Sequence, residues 1–232
     1  MNLALLKRTI ACCFFALLAS APLPAQKPPQ RSPPAQKPPP PAQKPPTFDG
    51  TKYLPLKVGR QMRYQVTVTP PIGKQRQATA TNRTPAMTAL NGKAYFKVTT
   101  SFTGLPLMPD QLIYYRPAAE GVFQVLGGDE ESSEWLYLPA RIKIGDRWGA
   151  DTPSGQFRFA AVGLEDVVTP KGKYPTCLKL QVTMKKKLLT NTQFQWLAAG
   201  IGVVKQSDSN AVFASATVLE EIAQEKVPQS GR

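Results

Sequence analysis

The chain has 232 residues, a net charge of +14 from 29 Lys and Arg against 15 Asp and Glu, 24 Pro, three Cys and no His. The missing histidine excludes Ser-His and Cys-His nucleophile pairs, His general bases and every His-ligated metal site. Three cysteines, two of them adjacent near the N-terminus, exclude thiolate zinc sites and iron–sulfur clusters.

In chain order, the first 25 residues read as an export signal. Lys7 and Arg8 precede a short apolar run, Thr9 to Ala19, which is about half of the roughly 20 residues a membrane span needs. Pro22 blocks cleavage after Ala21, so the expected cut lies between Ala25 and Gln26. An uncleaved anchor is the alternative. Cys12 invites a lipoprotein reading, yet Thr9-Ile10-Ala11 leaves no room for an apolar region before it. Cleavage would leave Cys177 as the one thiol, and the fold would hold without an internal disulfide.

Residues 26–46 are expected to be a disordered linker rich in Pro and Lys. Twelve of the 24 prolines fall within residues 22–46, where a Pro-Ala-Gln-Lys-Pro-Pro unit recurs. Proline lacks the amide donor and fixes φ, which leaves polyproline II, a semi-rigid spacer of ~3.1 Å per residue. Its cations Lys27, Arg31, Lys37 and Lys44 suit an anionic surface, or simply keep an inert linker solvated.

Residues 47–224 read as one domain, followed by a polar tail at 225–232. Residues 47–232 keep 23 cations against 15 anions, a moderate and dispersed +8. About 170 residues can bury roughly 70% of their unfolded surface, enough for an independent core. Period-two alternation dominates: Met62, Tyr64, Val66 and Val68; Ala94, Phe96 and Val98; Phe157 and Phe159; Leu178, Leu180, Val182 and Met184. Turn chemistry separates these runs at Pro70 to Gly73, Asn91-Gly92, Gly127-Gly128-Asp129, Pro170 to Lys173 and Gly200 to Gly202. The expected fold is all-β, a single antiparallel curved sheet or open half-barrel of roughly ten strands. Leu56-Lys57-Val58-Gly59 and Ile142-Lys143-Ile144-Gly145 echo one another, with Met62 and Trp148 three residues on. Two β-meanders, each opened by such a turn, would explain the echo.

Tyr53 to Gly59 ending at Tyr64, Val162 to Val167 leading through Pro170 to Tyr174 into Cys177 to Leu180, and Trp196 to Lys205 together resemble exported bacterial proteins and lipoproteins, the TapB-like domains of unknown function. The resemblance spans about residues 52–222, with Met62 where the family usually has Trp and Ala199 where it usually has Pro. It implies a curved antiparallel sheet in the bacterial envelope and supplies no catalytic residues. Gly172, Gly200 and Trp196 also have a structural account, as tight turns and a core side chain.

Little catalytic chemistry is left. Adjacent Glu165 and Asp166 should point to opposite faces of a strand. Asp129, Glu130, Glu131 and Glu134 lack the alternating oxygen ligands and central Gly of a calcium loop. No phosphate loop or nucleophile motif occurs, so neither an enzyme nor a cofactor is expected. Lys185-Lys186-Lys187 reads as a strand's exit into solvent or as a small anion-binding patch. Nucleic acid is not an expected partner. The leading expectation is a non-catalytic envelope protein that makes protein or cell-wall contacts. The alternatives are a periplasmic carrier of an apolar ligand, which needs a cavity of at least ~300 Å³, and a carboxylate-dependent hydrolase. Trp135-Leu136-Tyr137-Leu138 carries bulk on both strand faces, and the 103–110 loop is apolar. Leu105, Leu107 and Met108 are therefore expected to form a lid over Trp135 or Tyr137, above a solid core or a cavity.

Overall fold

A computed structural model of the chain describes residues 46–105, 108–127, 133–153, 155–186, 189–209 and 214–225. The expected signal peptide, and the linker up to residue 45, lie outside these residues. The elements are β1 (Thr47–Asp49), a 3-10 turn (Gly50–Tyr53), β2 (Arg60–Thr69), β3 (Arg76–Leu90), β4 (Lys93–Thr103), β5 (Gln111–Ala118), β6 (Gly121–Leu126) and β7 (Trp135–Pro139). Then follow β8 (Arg141–Lys143), β9 (Arg147–Thr152), β10 (Gly155–Thr169), β11 (Gly172–Lys186), β12 (Leu189–Ala198), β13 (Gly202–Ser209) and β14 (Ala214–Gln224).

Twelve strands form one antiparallel sheet in the order β7-β6-β5-β4-β3-β2-β14-β13-β12-β11-β10-β9. The all-β curved sheet expected from the alternation is present, with twelve strands in place of about ten. Its curl passes the half-barrel, because the two edges meet: Trp148 Nε1 on β9 donates to the Tyr137 carbonyl on β7 at 3.2 Å. The two edges share no backbone ladder. The sheet is two six-strand meanders, β2–β7 and β9–β14, joined through β2 and β14. Each opens as the echo implies. Gly59 and Gly145 take φ of 81° and 96°, which favours glycine, and their amides donate to Thr84 and Ala161 carbonyls at 2.8 Å.

Proline and glycine inside the long strands are absorbed by bulges. Pro85 sits where the β3–β4 register slips between Arg83 and Ala86, and Gly163 where β10 slips against β11. A bulge leaves one residue outside the ladder, so a missing N–H there costs no pairing. These irregularities let β3, β10 and β11 each run 15 residues.

One end of the barrel is plugged. β1 pairs with β8, and the 3-10 turn brings Tyr53 to Leu138 and Ile142, with Leu54, Leu56 and Ile144 packed against them. The approach demands Gly50, since a Cβ there would lie 1.9 Å from the Pro139 carbonyl oxygen. The same cluster continues along β10–β12 through Phe157, Phe159, Leu178, Leu180 and Leu197. A second cluster joins Tyr64, Val66 and Leu219 to Val167, Cys177, Trp196 and Val204. At the opposite end lie the β2–β3 connection and the described residues flanking the β4–β5, β6–β7 and β11–β12 connections.

Candidate functional site

Between the plug and those connections the sheet encloses a cleft of about 260 Å³. One wall is aromatic. Trp135 (β7) stacks on Phe157 (β10) with ring centres 4.8 Å apart and planes 14° apart, and Tyr137 meets Phe159 edge-on at 5.9 Å. Tyr64, Phe102 and Tyr115 add further rings. Amides and hydroxyls complete much of the lining, Asn82, Thr100, Gln111 and Gln124 from the first meander and Gln193, Gln195, Gln206 and Thr217 from the second, with Ala80, Ile113, Val182 and Val203 between them. No Asp, Glu, Lys or Arg is among the described residues that line it. Burial pushes the Tyr64, Tyr115 and Tyr137 hydroxyls well above their ordinary range, so they stay protonated.

The second-meander wall is a directed hydrogen-bond chain. Tyr137 Oη donates to Gln195 Oε1 at 2.5 Å, Gln195 Nε2 to Gln193 Oε1 at 2.5 Å, and Gln193 Nε2 to Asp208 Oδ1 at 2.6 Å. Gln206 Nε2 and Ser215 Oγ each reach Asp208 Oδ2 at 3.0 Å. An ionised carboxylate only accepts, so Asp208 fixes which way each amide points. In this chain Gln193, Gln195 and Gln206 each use one of two N–H groups. Trp135 Nε1 is buried with no hydrogen-bond partner among the described residues. An unmet buried donor costs about 1–3 kcal/mol.

Of the expected lid and its floor, Trp135 and Tyr137 line the cleft, 4% and 5% exposed. Leu105 is half-buried, Met108 is exposed, and neither is among the lining residues. Leu107 lies outside the described residues. Phe102 and Gln111, which flank the 103–110 segment, do line the cleft. The cleft is smaller than the ~300 Å³ expected of an apolar carrier. Its lining is also mixed, because the strands turn amides inward beside the rings and aliphatic side chains.

Those glutamines were missed. On β12, Gln193 and Gln195 alternate with Phe194 and Trp196, and hydrophobicity alone would turn the aromatics inward. The structure reverses the faces. Trp196 is buried as expected, but opposite the cleft, with Lys179 Nζ 5.0 Å and Lys205 Nζ 4.6 Å from its ring centre. Its Nε1 donates to Glu165 Oε2 at 2.7 Å. The usable signal was the lysine opposite each aromatic, since Trp196 pairs in register with both Lys179 and Lys205.

The acidic candidates divide. Glu165 takes Lys179 and Trp196, whereas Asp166 accepts from the Thr176 amide and pairs with Lys173, so they do not act together. Glu134 sits in a fork on the sheet. It accepts from Arg116 Nε and Nη2 at 2.5 and 2.9 Å, Tyr95 Oη at 2.6 Å and Lys93 Nζ at 2.8 Å. The Arg116 bonds lower its pKa to about 2. Asp129, Glu130 and Glu131 lie outside the described residues, and among the described ones no group of acids or Cys is gathered to hold a metal. Cys177 is fully buried, and burial lifts its thiol to about 11.

No family model matches the chain, and no curated protein is similar to it. Among solved structures it is similar to a candidate exported protein with a YmcC-like fold from Bacteroides fragilis, at 15% identity and a TM-score of 0.40, covering 73% of this chain and 98% of that one. It is similar also to a candidate lipoprotein from Parabacteroides distasonis, at 13% identity and a TM-score of 0.40, covering 76% of this chain and all of that one.

Proposed function

We propose that this chain is an exported, non-catalytic protein of the bacterial envelope, of the TapB-like kind, whose β-domain is carried on a Pro-Lys tether and works by binding. The observation that carries the binding reading is the cleft. Among the described residues, an interior lined by amides, hydroxyls, rings and a few aliphatic side chains, without a carboxylate or an amine, offers recognition groups and no general acid or base near neutral pH. A hydrolase would want two carboxylates about 5–9 Å apart around its substrate. Asp208, the nearest acid in the network, is occupied by three donors.

Export is supported by the Lys7-Arg8 start, the short apolar run and Pro22. In this reading Phe102 and Gln111, which flank the 103–110 segment, mark the rim of the cleft on that side. Mass spectrometry of the envelope-fraction protein tests the first half: the chain should begin at Gln26. A retained Met1 or an acylated Cys12 would overturn it.

A further inference from the structure

We propose that the amide-lined cleft binds a neutral, hydroxyl-rich ring, a hexose or N-acetylhexosamine unit of an envelope glycan. This rests on the reading that the cleft binds a ligand. Charge is the first argument. A carboxylate or ammonium entering the cleft would lose its hydration and find no opposite charge in the described lining, a cost of several kcal/mol. An acyl chain fares little better, since it would strip water from Gln193, Gln195 and Gln206 and return no hydrogen bond. Neutral hydroxyls meet both demands.

Orientation is the second argument. Asp208 aligns the glutamines before any ligand arrives, so little rotamer entropy remains to be lost on binding. The remaining N–H groups suit ligand hydroxyl oxygens, while the parallel Trp135 and Phe157 rings offer apolar surface for the C–H edge or face of a pyranose. Size is the third. A volume of about 260 Å³ equals roughly nine waters at ~30 Å³ each, room for one terminal ring of a saccharide whose other rings stay outside the cleft.

The test is calorimetry and tryptophan fluorescence on the full chain, titrated with tri-N-acetylchitotriose, maltotriose and laurate. The expected result is saturable binding of one trisaccharide with Kd at or below about 1 mM. Gln195→Leu should weaken it at least about tenfold, which is ~1.4 kcal/mol, with near-ultraviolet circular dichroism retained. If Gln195→Leu does not fold, Gln206→Leu is read in its place. Saccharide binding that neither variant weakens would overturn the site. Saturable laurate binding without saccharide binding would overturn the ligand class and leave the binding reading standing. Binding of none of the three would sink both.

Discussion

The barrel is joined at two seams, and they are built differently. At β14–β2 a backbone ladder runs from Ala214 opposite Thr69 to Gln224 opposite Arg60, with Leu219 fully buried beside it. At β7–β9 there is no ladder. The edges are held by Trp148, which stacks on Phe159 at 5.6 Å and donates its indole N–H to Tyr137. One seam closes by pairing and the other by packing. Only the laddered seam takes its two edges out of reach of pairing with other chains, while at the packed seam Trp148 bridges two edges that have no ladder. Surface ion pairs contribute less than their number suggests. Arg63 reaches Glu220 and Glu221 across the laddered seam, but all three are substantially exposed, and such pairs give about 0–1 kcal/mol.

The largest expected effect is at the laddered seam. Leu219→Ala should cost about 2–5 kcal/mol, measured by urea unfolding, because the rigid ladder cannot collapse into the gap. A loss below about 1 kcal/mol would mean that the ladder does not depend on this packing.

Next comes the fork that fastens the start of β7. Glu134 has its pKa lowered from 4.5 to about 2, so its stabilisation is present above about pH 4.5 and disappears as pH falls toward 2. Glu134→Gln should remove about 2 kcal/mol at pH 7 and flatten the stability profile between pH 5 and pH 2. Denaturant titrations at several pH values check it, and an unchanged acid limb would count against the fork.

A smaller effect is expected at the packed seam itself. Trp148→Phe keeps a ring on Phe159 and deletes the bond to Tyr137, at about 0.5–1.5 kcal/mol. Hydrogen exchange in β7 and β9 should then quicken while β2 and β14 stay protected.

The smallest is Cys177→Ser. The thiol points to the Tyr174 carbonyl at 3.4 Å, so a serine hydroxyl inherits an acceptor and the change should cost under about 1.5 kcal/mol. Alkylation of the folded protein should be slow at pH 7, since the thiol is fully buried and raised to about 11.

Strand positions were legible wherever one face was apolar. Leu178, Leu180, Val182 and Met184 alternate in sequence and sit in register along β10 and β12. The paired glycine turns foretold the two meanders. What stayed hidden was any strand whose inward face is polar. Gln193 and Gln195 look like a solvent face until β7, 58 residues upstream and not adjacent in the sheet, supplies Tyr137 to Gln195, and the neighbouring β13 supplies Asp208. A hydrogen-bonded interior has no hydrophobic signature to read. Pro85 and Pro175 lie inside strands because register slips there leave them outside the ladder, which the partner strand decides.

The laddered seam also sets how this domain must fold. Every other pairing in the twelve-stranded sheet links strands consecutive in the chain, but β2 and β14 lie at opposite ends of the domain. Closing a chain of that length carries an entropy that grows as (3/2)RT ln n, about 4–5 kcal/mol for the stretch between them. Two meanders can therefore assemble early as local hairpins, with β2 and β14 still unpaired along their outer edges, and wait for a rare long-range encounter. The meeting of β2 with β14 should therefore be the slowest pairing to form, and until it forms those two edges lack partners.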